Sequence, residues 1–274
     1  MTLADQRIGF IGGGAMAEAL AGGLIAAGVP PARILASDVD PARRKGLASA
    51  LGIATSDDNA RVARESDVVV IAVKPGVVEA ALAGWSDGAS SGRPLWISIA
   101  AGVALARLAR CLPARARIVR AMPNTPALVR AGATALCGNA AVAAGDLALA
   151  RELFEGVGMV WVAEQEDQLD AATGLSGSGP AYVFALLEAL GAAGEGVGLP
   201  RPAADRLALQ TVFGAAKLAL ETGRSPAELR KQVSSPGGTT LAGLERLEAL
   251  GFRAAIEAAV KAATQRSHQL GEET

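Results

Sequence analysis

Near the start of the chain, Ile8-Gly-Phe-Ile-Gly12-Gly13-Gly14-Ala15-Met16-Ala17 sets a short apolar run ahead of a G-x-G-x-x-A pattern. Glycines at that spacing let the backbone turn tightly and approach a pyrophosphate, while the amides of the following helix meet its negative charge. The small Ala17 lets helix and strand pack closely. This pattern predicts a dinucleotide site. Further on, Ala36-Ser37-Asp38 ends the next apolar run, where a carboxylate accepts the adenosine ribose hydroxyls of NAD. Asp38 argues for NADH. Ser37, however, offers a hydroxyl to a 2′-phosphate, and Arg43 and Arg44 lie one helical turn beyond, so NADH and NADPH both stay open.

A second constellation lies far along the chain. Pro236-Gly-Gly238-Thr239-Thr240 puts two glycines and two hydroxyls directly before a long helical pattern. Backbone amides there, with the helix N-terminus behind them, form a receptor for a carboxylate. The competing reading is a simple capping loop, in which Thr239 or Thr240 satisfies the first helical amides. The turn Val73-Lys74-Pro75 ends a fully apolar strand, at the edge where open parallel sheets hold ligands. Lys74 also reads as an ordinary turn lysine, Asn59 as a loop residue after two acids, and Met122-Pro-Asn-Thr-Pro126 as a rigid support turn.

These residues need a scaffold, and the periodicity supplies one. Apolar runs at Ile8–Ile11, 34–36, 68–73, 95–99, 118–121 and 157–163 alternate with helical segments, which predicts a parallel sheet covered on both faces. After about Glu164 the strand signals stop. Helices are expected at 180–191, 202–222, 226–233 and 240–269. The fold class is therefore α/β, with a Rossmann-type dinucleotide-binding domain at 1–164 and an all-α substrate and dimerisation domain at 165–274. The last helix repeats Leu241, Leu244, Leu247, Phe252, Ile256 and Val260 along one face, interrupted by Gly251. A small helical domain buries such a face most easily against a second copy, so a homodimer is expected.

Composition narrows the function classes. In 274 residues, 26 basic and 27 acidic side chains give a net charge of -1, which removes the counterion-release drive toward nucleic acid and any polybasic hold on a membrane surface. No stretch offers the ~20 strongly apolar residues needed to span a bilayer. The start carries an acid and leads straight into a strand, so a cytoplasmic protein is expected rather than an exported one. Cys111, Cys137 and His268 stand apart and form no metal set; the cysteines are expected reduced and buried, the histidine in a solvated tail.

Several further segments are specific. Asn59, Val70-Ile-Ala72-Val73-Lys74-Pro75, Ile97-Ser-Ile-Ala-Ala101-Gly102, Arg120-Ala-Met-Pro-Asn-Thr-Pro126, Gly174-Leu-Ser-Gly-Ser-Gly-Pro-Ala-Tyr182 and Val233-Ser-Ser235-Pro-Gly-Gly-Thr-Thr240, in this order, resemble pyrroline-5-carboxylate reductases over nearly the whole chain. The resemblance implies reduction of a cyclic imine to L-proline by NADPH or NADH, on a dimer with interlocked C-terminal helices, assembled in family members into decamers. Carried over by motif, it implies cofactor contacts from Gly12, Gly13, Gly14, Ala15, Met16, Ser37, Asp38, Asn59, Ala72, Val73, Lys74, Pro75 and Ala101. It implies substrate contacts from Glu166, Ser235, Gly238, Thr239 and Thr240. Gln232 stands where some members carry Asn, which departs from their pattern at one cofactor-side position.

An imine nitrogen is far more basic than a carbonyl oxygen, so the substrate can arrive protonated and no strong protein acid is required. Catalysis becomes positioning, with Thr240 hydrogen-bonding near the ring nitrogen and Glu166 facing the iminium charge. Two rivals remain at this level. A hydroxyacid dehydrogenase of similar plan needs an acid or base, and Lys217 is its candidate. A non-enzymatic NAD(P)H sensor would use the helices only as an interaction surface.

Overall fold

The computed structural model describes residues 2–83 and 94–273 and forms two compact units, one of residues 1–178 with 261–274, the other Gly179–Val260. In the first unit the chain runs β1 (Ile8–Ile11), α1 (Ala15–Ala26), β2 (Ile34–Ser37), α2 (Pro41–Leu51), β3 (Ala54–Ser56), α3 (Asn59–Glu65) and β4 (Val68–Ile71). It continues through α4 (Val78–Ala81), β5 (Leu95–Ser98), α5 (Leu105–Cys111), β6 (Arg117–Met122) and β7 (Gly132–Gly138). The unit's last elements before the second unit are α6 (Ala144–Glu155), β8 (Gly158–Val162) and α7 (Gln168–Ala172).

The eight strands lie in the order β3-β2-β1-β4-β5-β6-β7-β8. All neighbouring pairs are parallel except β6 with β7, where Arg120 faces Cys137 in antiparallel register. The sheet expected to be parallel thus carries one reversed strand, and β7 and β3 were not foreseen. Strand side chains divide between two cores, as the alternation of a pleated strand requires. Val68 and Val70 of β4 join Ile8 and Phe10 beneath α1, whereas Val69 and Ile71 join Trp96 and Leu108 on the opposite face. The order reverses between β1 and β4: the chain steps outward from β1 to β2 and β3, then returns to the other side of β1. That reversal opens a crevice beyond the strands' carboxyl ends.

The second unit holds α8 (Gly179–Gly196), α9 (Arg201–Thr222), α10 (Pro226–Gln232), α11 (Thr239–Ala249) and the first residues of α12 (Phe252–Glu273). Gly191 and Gly194 let α8 lie close to α9: a Cβ at Gly194 would fall 2.8 Å from that of Ala204, and one at Gly191 would collide with Asp205. The long last helix expected over 240–269 is instead two helices. Gly251, at φ 76°, adopts the left-handed conformation that ends α11, which no local pattern of apolar spacing reveals. Large apolar side chains of this unit stand in solvent, among them Phe184, Leu209, Phe213 and Leu220.

Candidate functional site

Gly12 follows β1 at φ 99°, a conformation that favours glycine, and a Cβ there would lie 2.7 Å from the Ala72 carbonyl oxygen. The two chain ends at the reversal point, after β1 and after β4, therefore touch backbone to backbone. Gly14 is the N-cap of α1 in extended conformation, and a Cβ on it would meet nothing within 4 Å. That open space belongs to a cleft of about 670 Å³, walled by Gly12, Gly14, Ser37, Asp38, Asn59, Ala72, Val73 and Lys74 together with Val39, Asp40, Arg43, Val77, Ala80 and Ala81. Eight residues singled out from the sequence as cofactor contacts meet in one place.

The cleft wall is held by polar links. Asp38 accepts from the Gly13 amide at 2.8 Å and from the Asp40 amide at 2.9 Å. The buried Ser37 hydroxyl donates to Asn59 Oδ1 at 2.7 Å, and Asn59 Nδ2 donates to the Ala81 carbonyl at 3.1 Å. Asn59 opens α3 as its first residue and is not a loop residue. Gly13, Ala15, Met16, Pro75 and Ala101 do not line this cleft: the Gly13 amide is taken by Asp38, the Met16 side chain packs against the core, and Ala101 lies in the turn after β5. An open crevice with a glycine floor, an apolar side and an acid on its wall fits a dinucleotide.

A second polar centre in the first unit surrounds Arg120. This arginine of β6 donates to Glu166 at 3.0 Å and to Asp170 at 2.9 Å, and its side chain is 6% exposed. Glu166 Oε1 also accepts from the Leu105 amide at 2.7 Å, and the Ser267 hydroxyl of α12 donates to Asp170 at 2.7 Å. Arg120, Glu166, Asp170 and His268 line a pocket of about 250 Å³. His268 thus lies on a helix at a pocket, not in a loose tail. Arg120, Asp170 and Ser267 were missed as a group, although a lone arginine inside the apolar run Ile118-Val119-Arg120-Ala121 signals a buried charge that needs partners.

In the second unit, Gly238 and not a threonine caps α11, with no side-chain capping bond. Thr239 and Thr240 are exposed first-turn residues, as is Ser235 in the loop before them. Gly237 sits at φ 71°, and a Cβ on Gly238 would press on Ser235 Oγ at 2.6 Å. The capping explanation for the two hydroxyls is thereby removed. Gln232 accepts from Arg224 at 2.9 Å. Lys217 pairs with Glu221 at 3.6 Å on an exposed face of α9.

Burial lifts the thiol pKa of Cys137, with Glu166 adding in the same direction, and also lifts that of Cys111, which is only partly buried. Both thiols are free. Among the described residues no group of three or more His, Cys, Asp or Glu could hold a metal ion, and no helix is long and apolar enough to cross a membrane.

Residues 166–270 match the family model described as pyrroline-5-carboxylate reductase dimerisation, and residues 7–102 match one described as NADP oxidoreductase, coenzyme F420-dependent. The pyrroline-5-carboxylate reductase of Synechocystis sp. is 48% identical across 97% of this chain and 98% of its own length. That of Pseudomonas aeruginosa is 45% identical across 99% of both. Among solved structures, a pyrroline-5-carboxylate reductase from Coxiella burnetii superposes with a TM-score of 0.92 at 42% identity, covering 97% of this chain and 98% of that one. Plasmodium falciparum pyrroline carboxylate reductase with NADP bound gives 0.85 at 31%, covering 97% and 98%. With end-to-end identity at this level, a reversal-point cleft and a matching dimerisation segment, the chain belongs to the pyrroline-5-carboxylate reductase family.

Proposed function

We propose that this chain reduces 1-pyrroline-5-carboxylate to L-proline, the last step of proline biosynthesis, using NAD(P)H. The observation that carries the reading is the full-length identity to pyrroline-5-carboxylate reductases, together with a cleft lined by eight of the residues that the motifs single out. Bound NAD(P)H supplies the hydride. The chain's own residues bind and orient. Gly12 and Gly14 leave room for the pyrophosphate at the start of α1, and Ser37, Asp38 and Asn59 form the ribose wall. Lys74 stands at the exposed rim, with Ala72, Val73 and Pro75 forming the turn beside it, and Gly13, Ala15, Met16 and Ala101 shape the surrounding backbone.

The substrate carboxylate is received by the Ser235–Thr240 loop, where backbone amides before an 11-residue helix present partial positive charge. Gly238 keeps the loop slim, Thr239 and Ser235 line it, and Thr240 offers its hydroxyl to the ring nitrogen. Glu166, a substrate contact by the family resemblance, has Oε1 committed to Arg120 and Leu105, which leaves Oε2 as its open acceptor. The protonated imine carries its own proton, so the site needs position more than acidity.

In this reading residues 1–164 form the cofactor domain and 165–274 the substrate and dimerisation domain. Support comes from the last strand ending at Val162 and the dimerisation match beginning at residue 166. On the family resemblance we take the working assembly as a dimer, grouped five to a decamer, in the cytoplasm. Purified protein mixed with pyrroline-5-carboxylate should oxidise reduced nicotinamide and release proline. No turnover with either nucleotide would overturn the reading, and faster turnover of the six-membered homologue would reassign its substrate.

A further inference from the structure

We propose that this chain prefers NADH to NADPH and that Asp38 sets the preference. The inference rests on the reductase reading and deepens it. Asp38 is fixed in place by the protein itself. Its Oδ2 accepts from the Gly13 amide at 2.8 Å and its Oδ1 from the Asp40 amide at 2.9 Å, and its side chain is 9% exposed. Each carboxylate oxygen can accept two hydrogen bonds. One acceptor position therefore remains on each oxygen, and a pair of neighbouring acceptors suits the 2′- and 3′-hydroxyls of an adenosine ribose. A 2′-phosphate at the same point would set close to two further negative charges against the carboxylate.

Two of the three groups that would welcome such a phosphate, Ser37 and Arg44, are already hydrogen-bonded, and the third faces two acids. Ser37 has its hydroxyl proton on Asn59 Oδ1 at 2.7 Å, and Asn59 is oriented by donating to the Ala81 carbonyl, so Ser37 has no proton left for a phosphate oxygen. Arg43, the arginine on the cleft wall, lies 3.7 Å from the Asp38 carboxylate and 3.9 Å from that of Asp40. One positive charge there answers two negative ones. Arg44 donates to the Asp38 carbonyl at 2.7 Å and to the Val39 carbonyl at 3.2 Å, which binds it to the loop backbone. The wall sets two carboxylates against the single guanidinium that a 2′-phosphate would need.

Equilibrium titration of the purified protein with NADH and with NADPH, followed by calorimetry, tests this without any imine present. Kinetics with pyrroline-5-carboxylate run beside it. Binding of NADH should be at least about tenfold tighter, the scale of one hydrogen bond to a charged group. Asp38→Asn keeps the shape and an oxygen for the Gly13 amide, gives up the Asp40 amide bond for both nucleotides alike, removes the charge, and should narrow the gap by about tenfold, mainly through gained NADPH affinity. Arg43→Ala should alter the ratio less than about threefold. Equal or tighter NADPH binding by the unaltered chain would overturn the proposal, whatever the variants do. An unchanged ratio in Asp38→Asn would remove Asp38 as its cause, and a selective tenfold loss of NADPH in Arg43→Ala would assign that arginine to a 2′-phosphate. Selective NADH binding without turnover of the imine would leave this inference standing and overturn the reductase reading.

Discussion

Arg120 and Asp170 meet at 2.9 Å with side chains 6% and 12% exposed, so a strand and a short helix are joined by an ion pair almost out of water. Removing one member of a buried pair leaves the other charge unpaired, at a cost of about 3 to 5 kcal/mol. Here the loss would strand two carboxylates, because Glu166 shares the same guanidinium.

Arg120→Leu should therefore lower unfolding stability by about 3 kcal/mol or more, read as a fall in the urea midpoint at unchanged slope. Arg120→Lys keeps the charge but loses the planar fork that serves both acids, and should fall between. A leucine variant as stable as the parent would show that the network carries no load.

The two glycines that flank Gly13 should fail in different ways. Gly12→Ala forces a side chain into a positive φ and toward the Ala72 carbonyl, so it should lower the melting temperature of the nucleotide-free protein. A Cβ at Gly14 meets nothing within 4 Å, so Gly14→Val should change that melting temperature far less, while nucleotide affinity falls more than about tenfold by obstruction of the cleft. Equal NAD(P)H affinity in Gly14→Val would count against the cleft as the cofactor site.

Thr240 is open to a cleaner test now that Gly238 is known to cap α11. Valine nearly matches threonine in volume and lacks the hydroxyl, so Thr240→Val should retain stability. A lost hydrogen bond to a charged group, about 1.5 to 3 kcal/mol, corresponds to roughly a tenfold to hundredfold drop in kcat/KM. Thr240→Ser should lose much less. Equal activity in both variants would make the hydroxyl a bystander.

Light scattering should report a dimer or larger at micromolar concentration, since Phe184 and Phe213 expose more than half of their surface in a single chain. Replacing both with Glu should shift the population toward monomer. A stable, active monomer of the unaltered chain would contradict the dimerisation role of the helices.

The glycine turn, the acid after β2 and the apolar strands were legible because each follows a local rule of spacing. Most of what stayed hidden was set by distant partners. Gly132-Ala-Thr-Ala-Leu-Cys-Gly138 has too many small side chains to announce a strand, and nothing local tells a strand which way its neighbour runs. The apolar stripe across Gly251 reads as one helix because the spacing continues; only the backbone's left-handed residue divides it. At the site, the identity of Asp38 could be read from the sequence, but its bonds to the Gly13 and Asp40 amides could not. The same limit applied to Arg120, whose acids lie 46 and 50 residues away.

The apolar side chains that α8 and α9 present to solvent tie the chain's survival to its own abundance. When a folded state is completed by a second copy, stability includes a mass-action term, and dilution weakens it as surely as heat does. Each tenfold dilution removes about 1.4 kcal/mol from the assembled state, by the logarithm that governs any association. A cell making little of this protein would hold a less durable reductase than one making much, with identical sequence and identical contacts.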